Sequence, residues 1–172
     1  GMRLKKHYKI HIPNKHTEEN NIANFIGDCI QNDRSAITPF EIDILTENFG
    51  IEYNGLIWHS SGKSKYSKFN FTDKEMKKKH INKTELCEEK GIQLFHIFEN
   101  EWVQKREIWE SVLNVKMGKG ERIYARKCKV REITSSSEFE NKNHLQGMGR
   151  SSIKIGLFKD DELISVMTFG KP

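Results

Sequence analysis

Two short runs in the first third of the chain constrain its fold most. From Phe40 to Leu45 apolar and acidic residues alternate, with Ile42 and Ile44 on one side and Glu41 and Asp43 on the other. Side chains two apart on a strand share a face, so this pattern predicts a half-buried β-strand. Thr46-Glu47-Asn48 supplies turn chemistry, and Ile51-Glu52-Tyr53 opens a second strand. Asn54-Gly55 follows as a turn or bulge signal ahead of Leu56-Ile57-Trp58-His59. If the strands pair as a hairpin, Asp43 and Glu52 meet across the ladder, and Asn54 lies on the face of Glu52. Carboxylates brought together repel unless a cation bridges them, and hard oxygen donors describe a Mg²⁺ site. His59, near a strand end, adds a group whose ordinary pKa suits a general base. An ordinary solvated strand face is the alternative reading of the same residues.

The flanking patterns are those of an α/β domain. Thr17 is a candidate N-cap with Glu18 and Glu19 behind it, and Ile22, Phe25, Ile26, Cys29 and Ile30 form one helical stripe. Asp73 to Lys90 reads as a second helix stopped by Gly91, and Ile92 to Phe98 as a central strand covered on both faces. Asn100 caps a third helix with Trp102, Trp109, Val112 and Leu113 on its buried stripe. The pattern then restarts after a Gly/Lys segment. Short strands are expected at Ile123–Ala125 and Val130–Ile133, a helix within Ser135–His144, and a hairpin about Asp160-Asp161. The resulting organisation is a basic arm (1–16), a main domain (17–115), a linker (116–122) and a small α+β segment (123–172).

Composition narrows the partners. The 172 residues carry a net charge of +5, and the lysines are unevenly placed. Lys63, Lys65, Lys68, Lys74, Lys77, Lys78, Lys79 and Lys83 crowd a polar loop and the helix after it, interleaved with Tyr66, Phe69 and Phe71. Lysines of this kind neutralise phosphates and aromatics stack or wedge at bases, so the cluster fits double-stranded DNA; a solvated helix face is the plainer account. His80 and Lys83 share a helix face and could reach a phosphate. A second basic run includes Arg126 and Lys127. The three scattered cysteines argue for a reducing, cytoplasmic setting, and no apolar run of the length of about 18 residues that a membrane span needs is present. The cysteines and histidines lack paired zinc-ligand spacing, so no zinc is expected.

The block Glu41-Ile42-Asp43-Ile44 followed by Ile51-Glu52-Tyr53-Asn54-Gly55-Leu56-Ile57-Trp58-His59 resembles the nuclease domain of very-short-patch-repair-like endonucleases. It is most similar to that domain as carried by phage and intron-associated homing endonucleases with an EDxHD motif. Asn82-Lys83-Thr84-Glu85-Leu86-Cys87, Gly91-Ile92 and Ile97-Phe98-Glu99-Asn100-Glu101-Trp102 fit the same pattern. The resemblance spans about residues 17–115. It implies a restriction-endonuclease-like mixed sheet flanked by helices, and Mg²⁺- or Mn²⁺-dependent hydrolysis of DNA phosphodiesters.

By the same resemblance Asp43 matches the metal-binding aspartate, with Glu52 as second acid and the Tyr53 carbonyl as a further ligand. His59 matches the histidine that activates or relays protons at the scissile phosphate, and Glu19 the helix glutamate acting through water. Asn54 stands where the repair enzymes have a second histidine, and where orthodox nucleases of this fold have a lysine. Leu56 and Ser61 replace the zinc ligands of the repair enzymes. The tail from His144 to Phe158 resembles the opening hairpin of a GNAT-like module, too short for acyl transfer. The expected function is a DNA endonuclease of the homing or mobile-element kind, a double-strand cut requiring a homodimer or two encounters. The alternatives are a non-catalytic DNA-binding module of the same fold and a repair nuclease acting on mismatched or branched DNA.

Overall fold

A computed structural model describes residues 15–55 and 73–170, apart from the side chains of 15, 16, 73–77 and 79. They divide into two compact units, Gly1–Glu99 and Asn100–Pro172. The long helix that the sequence groups with the main domain therefore counts with the second unit.

In the first unit, helix α1 (Lys15–Ile26) precedes strands β1 (Ile30–Asp33), β2 (Ile42–Leu45) and β3 (Phe49–Asn54). Helix α2 (Asp73–Glu89) then leads to strand β4 (Gln93–Phe98). The sheet order is β1-β2-β3-β4, antiparallel through the first three strands and parallel between β3 and β4. This is a mixed sheet in an α/β unit, and the β3–α2–β4 crossover follows from the parallel pairing, which a tight turn cannot make.

The predicted hairpin is present, with Ile44 opposite Ile51 and Leu45 opposite Gly50. Thr46 closes it, its amide and hydroxyl both donating to the Phe49 carbonyl at 2.9 and 2.8 Å. The expected alternation is only partly kept, since Ile42, Asp43 and Ile44 are all buried. Ile42 packs with Ile37 and with Cys87 of α2, and Phe40, Leu45, Leu86, Ile92 and Leu94 close around them.

Two boundaries differ from expectation. α1 ends at Ile26, because Gly27 takes φ +91° and its amide donates back to Ala23. The stripe positions Cys29 and Ile30 lie beyond it, and Ile30 begins an edge strand where it is largely exposed. β4, read as a covered central strand, is the other edge of the sheet among the described residues, its burial incomplete except at Ile97. α2 stops where expected: Gly91 has φ +73°, and the Ile92 amide reaches back to the Cys87 carbonyl at 2.8 Å.

The second unit holds helix α3 (Glu99–Lys116), strand β5 (Lys129–Glu132), helix α4 (Ser137–Asn143) and strands β6 (Ile153–Lys159) and β7 (Glu162–Phe169). β5, β6 and β7 form a separate antiparallel sheet. The β6–β7 turn falls on Asp160 and Asp161, at φ +50° and +65°, the paired left-handed conformation that short hairpin turns need. The strand expected at Ile123–Ala125 is not formed; Ala125 instead begins one 3₁₀ turn that runs to Lys127. Trp102, Trp109 and Leu113 are buried along α3 as predicted. Among the described residues no helix is long and apolar enough to cross a membrane.

Candidate functional site

The β2–β3 hairpin is present, but Asp43 and Glu52 are not a ladder pair in it, and each carboxylate has its own partner. Asp43 is 5% exposed, and its Oδ2 accepts the backbone N–H of Tyr53 at 2.8 Å. The last ladder pair between β2 and β3 is Ile44 with Ile51. One step further along, the Asp43 side chain takes over as an acceptor for the neighbouring strand. A carboxylate accepts several hydrogen bonds, so this contact fixes Asp43 without exhausting its oxygens.

Glu52 reaches α2, and Asn54 is turned towards β4. The ammonium of Lys83 pairs with Glu52 Oε2, the Glu52 side chain being 16% exposed. Asn54, fully buried, directs its amide nitrogen to the Glu52 carbonyl and to His96 Nδ1, each at 3.4 Å. His96 lies opposite Glu52 in the parallel register. Its Nε2 stands 3.0 Å from the Thr84 hydroxyl, which donates its own hydrogen to the His80 carbonyl at 3.0 Å. With that hydrogen committed, Thr84 accepts from His96 Nε2–H, which leaves Nδ1 to accept from Asn54. The imidazole is thus neutral. Burial, then the neighbouring His80 ring 5.5 Å away and Lys83, push its pKa below the ordinary histidine value.

Tyr53 is next to Glu52 on the strand and so presents its ring to the opposite face. Its phenol is buried with no hydrogen-bond partner among the described residues. Burial first, then the charges of Glu99, Glu18 and Glu19, drive its pKa well above the usual tyrosine range. Glu19, itself buried on α1, acts on Tyr53, while Lys83 acts on Glu52. Glu41, the strand-face neighbour of Asp43, turns away to pair with Arg34 at 2.6 Å.

Mg²⁺ takes carboxylate and carbonyl oxygens, and Asp43, Glu52 and Glu19 supply that donor chemistry. Among the described residues no three His, Cys, Asp or Glu side chains are grouped so as to hold an ion. The donor types suit a hard cation, but the described residues do not gather them into one site, and Glu52 is held on Lys83.

The other candidate residues distribute as follows. His59, Lys63, Lys65 and Lys68 lie outside the described residues, as do the side chains of Lys77 and Lys79. Lys78 is exposed on α2 and His80 is half-buried beside His96. Lys83, read as a phosphate contact on an open helix face, is instead buried, because the strand carboxylate beneath it draws the ammonium inward. In the second unit Arg126 and Lys127 are exposed. The Arg126 guanidinium lies 5.1 Å from the Tyr124 ring centre, and that of Arg122 lies 5.5 Å from it.

Thr84 and His96 are polar partners that sequence reasoning missed, and Lys83 was assigned a different task. A signal existed: Lys83, Leu86 and Cys87 are spaced i, i+3, i+4, which places Lys83 on the same helix stripe as residues of the core. Compared with family models, curated proteins and solved structures, the chain matches none.

Proposed function

We propose that the chain is a divalent-metal-dependent DNA endonuclease with a restriction-endonuclease-like first unit. One observation carries the reading: Asp43 is a buried carboxylate fixed by the amide of the adjoining strand, beside the strand that bears Glu52. Burying acids is costly unless a cation or donors compensate them; the Tyr53 amide gives Asp43 a structural role, and a bound divalent ion would give it a second. Added to this are the EDxHD-like block of the sequence and the crowded lysines that follow it.

In this reading Asp43 and Glu52, with the Tyr53 carbonyl, hold Mg²⁺ or Mn²⁺, and Glu19 contributes through water. The bound ion supplies the charge that stabilises a phosphodiester in hydrolysis. His59 orients the nucleophilic water or takes its proton. Asn54 acts by position, its amide keeping β3 registered on His96 of β4. Lys63, Lys65, Lys68, Lys77, Lys78, Lys79 and His80, together with Arg126 and Lys127, hold the DNA backbone.

The test is nicking of supercoiled plasmid with Mg²⁺ present or chelated, comparing wild type with Asp43→Ala. Metal-dependent nicking lost in the variant supports the proposal; equal behaviour of the two proteins in every DNA assay overturns it. Parallel intact, mismatched and branched duplexes separate a homing enzyme from a repair nuclease.

A second reading, a DNA-binding module without catalysis, is favoured by one observation: Glu52 is already engaged by Lys83. It predicts salt-sensitive DNA binding that persists in EDTA and is unchanged by His59→Ala.

A further inference from the structure

Strand β7 is an outer strand of the second unit's sheet, and nothing in its sequence guards that edge. Among the described residues it pairs only with β6, so alternate amides and carbonyls along it face outward. From Leu163 to Phe169 it carries no charge and no proline, the devices that ordinarily keep an open edge from pairing. An antiparallel sheet that turns one face to water usually puts polar residues there. Here that face bears Met167 and Phe169, 61% and 47% exposed, with Ile155 and Ile153 as their ladder partners.

Beside this edge lies a groove of about 520 Å³, walled by Ile164 and Val166 of β7, Phe139 of α4, and Ile108 and Val112 of α3. An extended segment laid along β7 gains main-chain hydrogen bonds from the strand and apolar contact from the two helices, the two components of strand addition. The charges at the ends of β7 say which segment fits. The strand starts from the acidic turn Asp160-Asp161-Glu162, in which Arg131 holds Asp161 at 2.8 Å and Glu162 is exposed. It ends at Gly170, where an added Cβ would stand 2.9 Å from the carbonyl oxygen of Arg150, itself an exposed residue. A strand with an acidic start and a basic corner at its end complements itself when antiparallel. A twofold axis at Val166, the middle of the uncharged stretch, sets Glu162 opposite Gly170 of a second copy, beside that copy's Arg150, and does so twice.

We propose that the second unit is a self-association module, in which β7 pairs antiparallel with β7 of a second copy about Val166 and joins two three-stranded sheets into one. The pairing involves neither metal nor DNA, so it stands or falls apart from the endonuclease reading. Where that reading holds, one particle carries two sites, one for each strand of a duplex.

Sedimentation velocity on the full chain, without nucleic acid or divalent ion, should show a concentration-dependent equilibrium that stops at two chains. A strand-pair contact belongs with the weak interfaces, so the midpoint should fall at about 1–100 µM. Met167→Lys puts a charge on the open edge and should weaken association at least about tenfold. Glu162→Arg, at an exposed turn, provides the test if Met167→Lys does not fold. It sets like charges together at both ends of the pair and should weaken association by a similar factor, as should Arg150→Glu. The double variant Glu162→Arg/Arg150→Glu should recover most of the loss, a readout that a surface unrelated to β7 does not give.

A chain that is monomeric at roughly 100 µM overturns the proposal. So does a dimer whose affinity is unchanged in folded Met167→Lys or in Glu162→Arg, since its interface then lies elsewhere. A double variant no tighter than the single ones removes the pairing about Val166. Assembly that runs on past two chains also overturns it, because a twofold pair closes on itself.

Discussion

The backbone N–H of Tyr53 donates to Oδ2 of Asp43 across 2.8 Å, so a side chain continues the hydrogen bonding of two strands beyond their last paired residues. Asp43 thereby has a structural task that can be separated from any chemistry. Asp43→Asn retains an oxygen acceptor for the amide, whereas Asp43→Ala leaves a buried N–H without one, at a cost of about 1–3 kcal/mol. Urea denaturation should show Asp43→Ala clearly destabilised and Asp43→Asn much closer to wild type. Both should be inactive in plasmid nicking, because neither carries the negative charge. An Asp43→Asn protein as active as wild type would detach the carboxylate from function.

His96 gives the first unit a pH dependence of defined sign. Its pKa is depressed by burial, His80 and Lys83, so below the ordinary value of about 6.5 the unfolded chain binds a proton that the folded chain does not. Stability from this residue is therefore present above that value and is lost as pH falls through it towards the folded pKa. Protonation would also set an N–H at Nδ1 against the amide nitrogen of Asn54, two donors facing each other. Denaturation midpoints followed from about pH 8 down to about pH 5 should decline in wild type, and the decline should be shallower in His96→Gln. Parallel curves for the two proteins would place the dependence elsewhere.

Much of this architecture is legible because it rests on local chemistry. The β2–β3 hairpin follows from alternation, the end of α2 from Gly91, and the β6–β7 turn from two aspartates able to take positive φ. The stripe that runs on to Cys29 and Ile30 misleads, since helical spacing says nothing about Gly27 stopping the helix first. β4 misleads in a related way: a continuous apolar run fits a strand covered on both faces, but strand order depends on pairings remote in sequence. The same division holds at the site. Strand geometry over a few residues puts Asp43, Glu52 and Asn54 on the two hairpin strands, but the expected ladder pair of Asp43 with Glu52 is not formed. The Lys83–Glu52 pair joins groups 31 residues apart, and its sign in the sequence is a lysine on an apolar helix stripe.

The exposed Arg126 and Lys127 of the second unit lend themselves to a salt titration. If both neutralise DNA phosphates, replacing either by alanine should weaken duplex binding about equally on all sequences. Each replacement should also lower the slope of log affinity against log salt by about 1. Arg126 also stacks over Tyr124, so its loss should reduce binding somewhat beyond the charge term if that ring meets the nucleic acid. Fluorescence anisotropy at several salt concentrations measures both quantities, and slopes identical to wild type would remove this segment from the interface.

Gly50 tests how tightly the hairpin is seated. It faces Leu45 in the register, and a Cβ added there would stand 3.2 Å from both Ile42 Cγ2 and Leu94 Cδ1. Its φ lies outside the left-handed range, so the penalty for alanine is steric and not conformational. Ile42 belongs to the core beside α2 and Leu94 is packed against it, which leaves little room for either to yield. Gly50→Ala should therefore destabilise the chain by about 1–3 kcal/mol, the usual cost of one inserted methyl in a packed interior. Leu94→Ala removes one of the two close atoms, so alanine at position 50 should cost less in that background than in wild type. Urea denaturation of the two single variants and the double variant gives the coupling. Strict additivity would mean that the methyl is accommodated by a shift of β3 itself, and in that case Gly50→Ala should also perturb the Asp43–Tyr53 bond and lower nicking beyond what its stability explains.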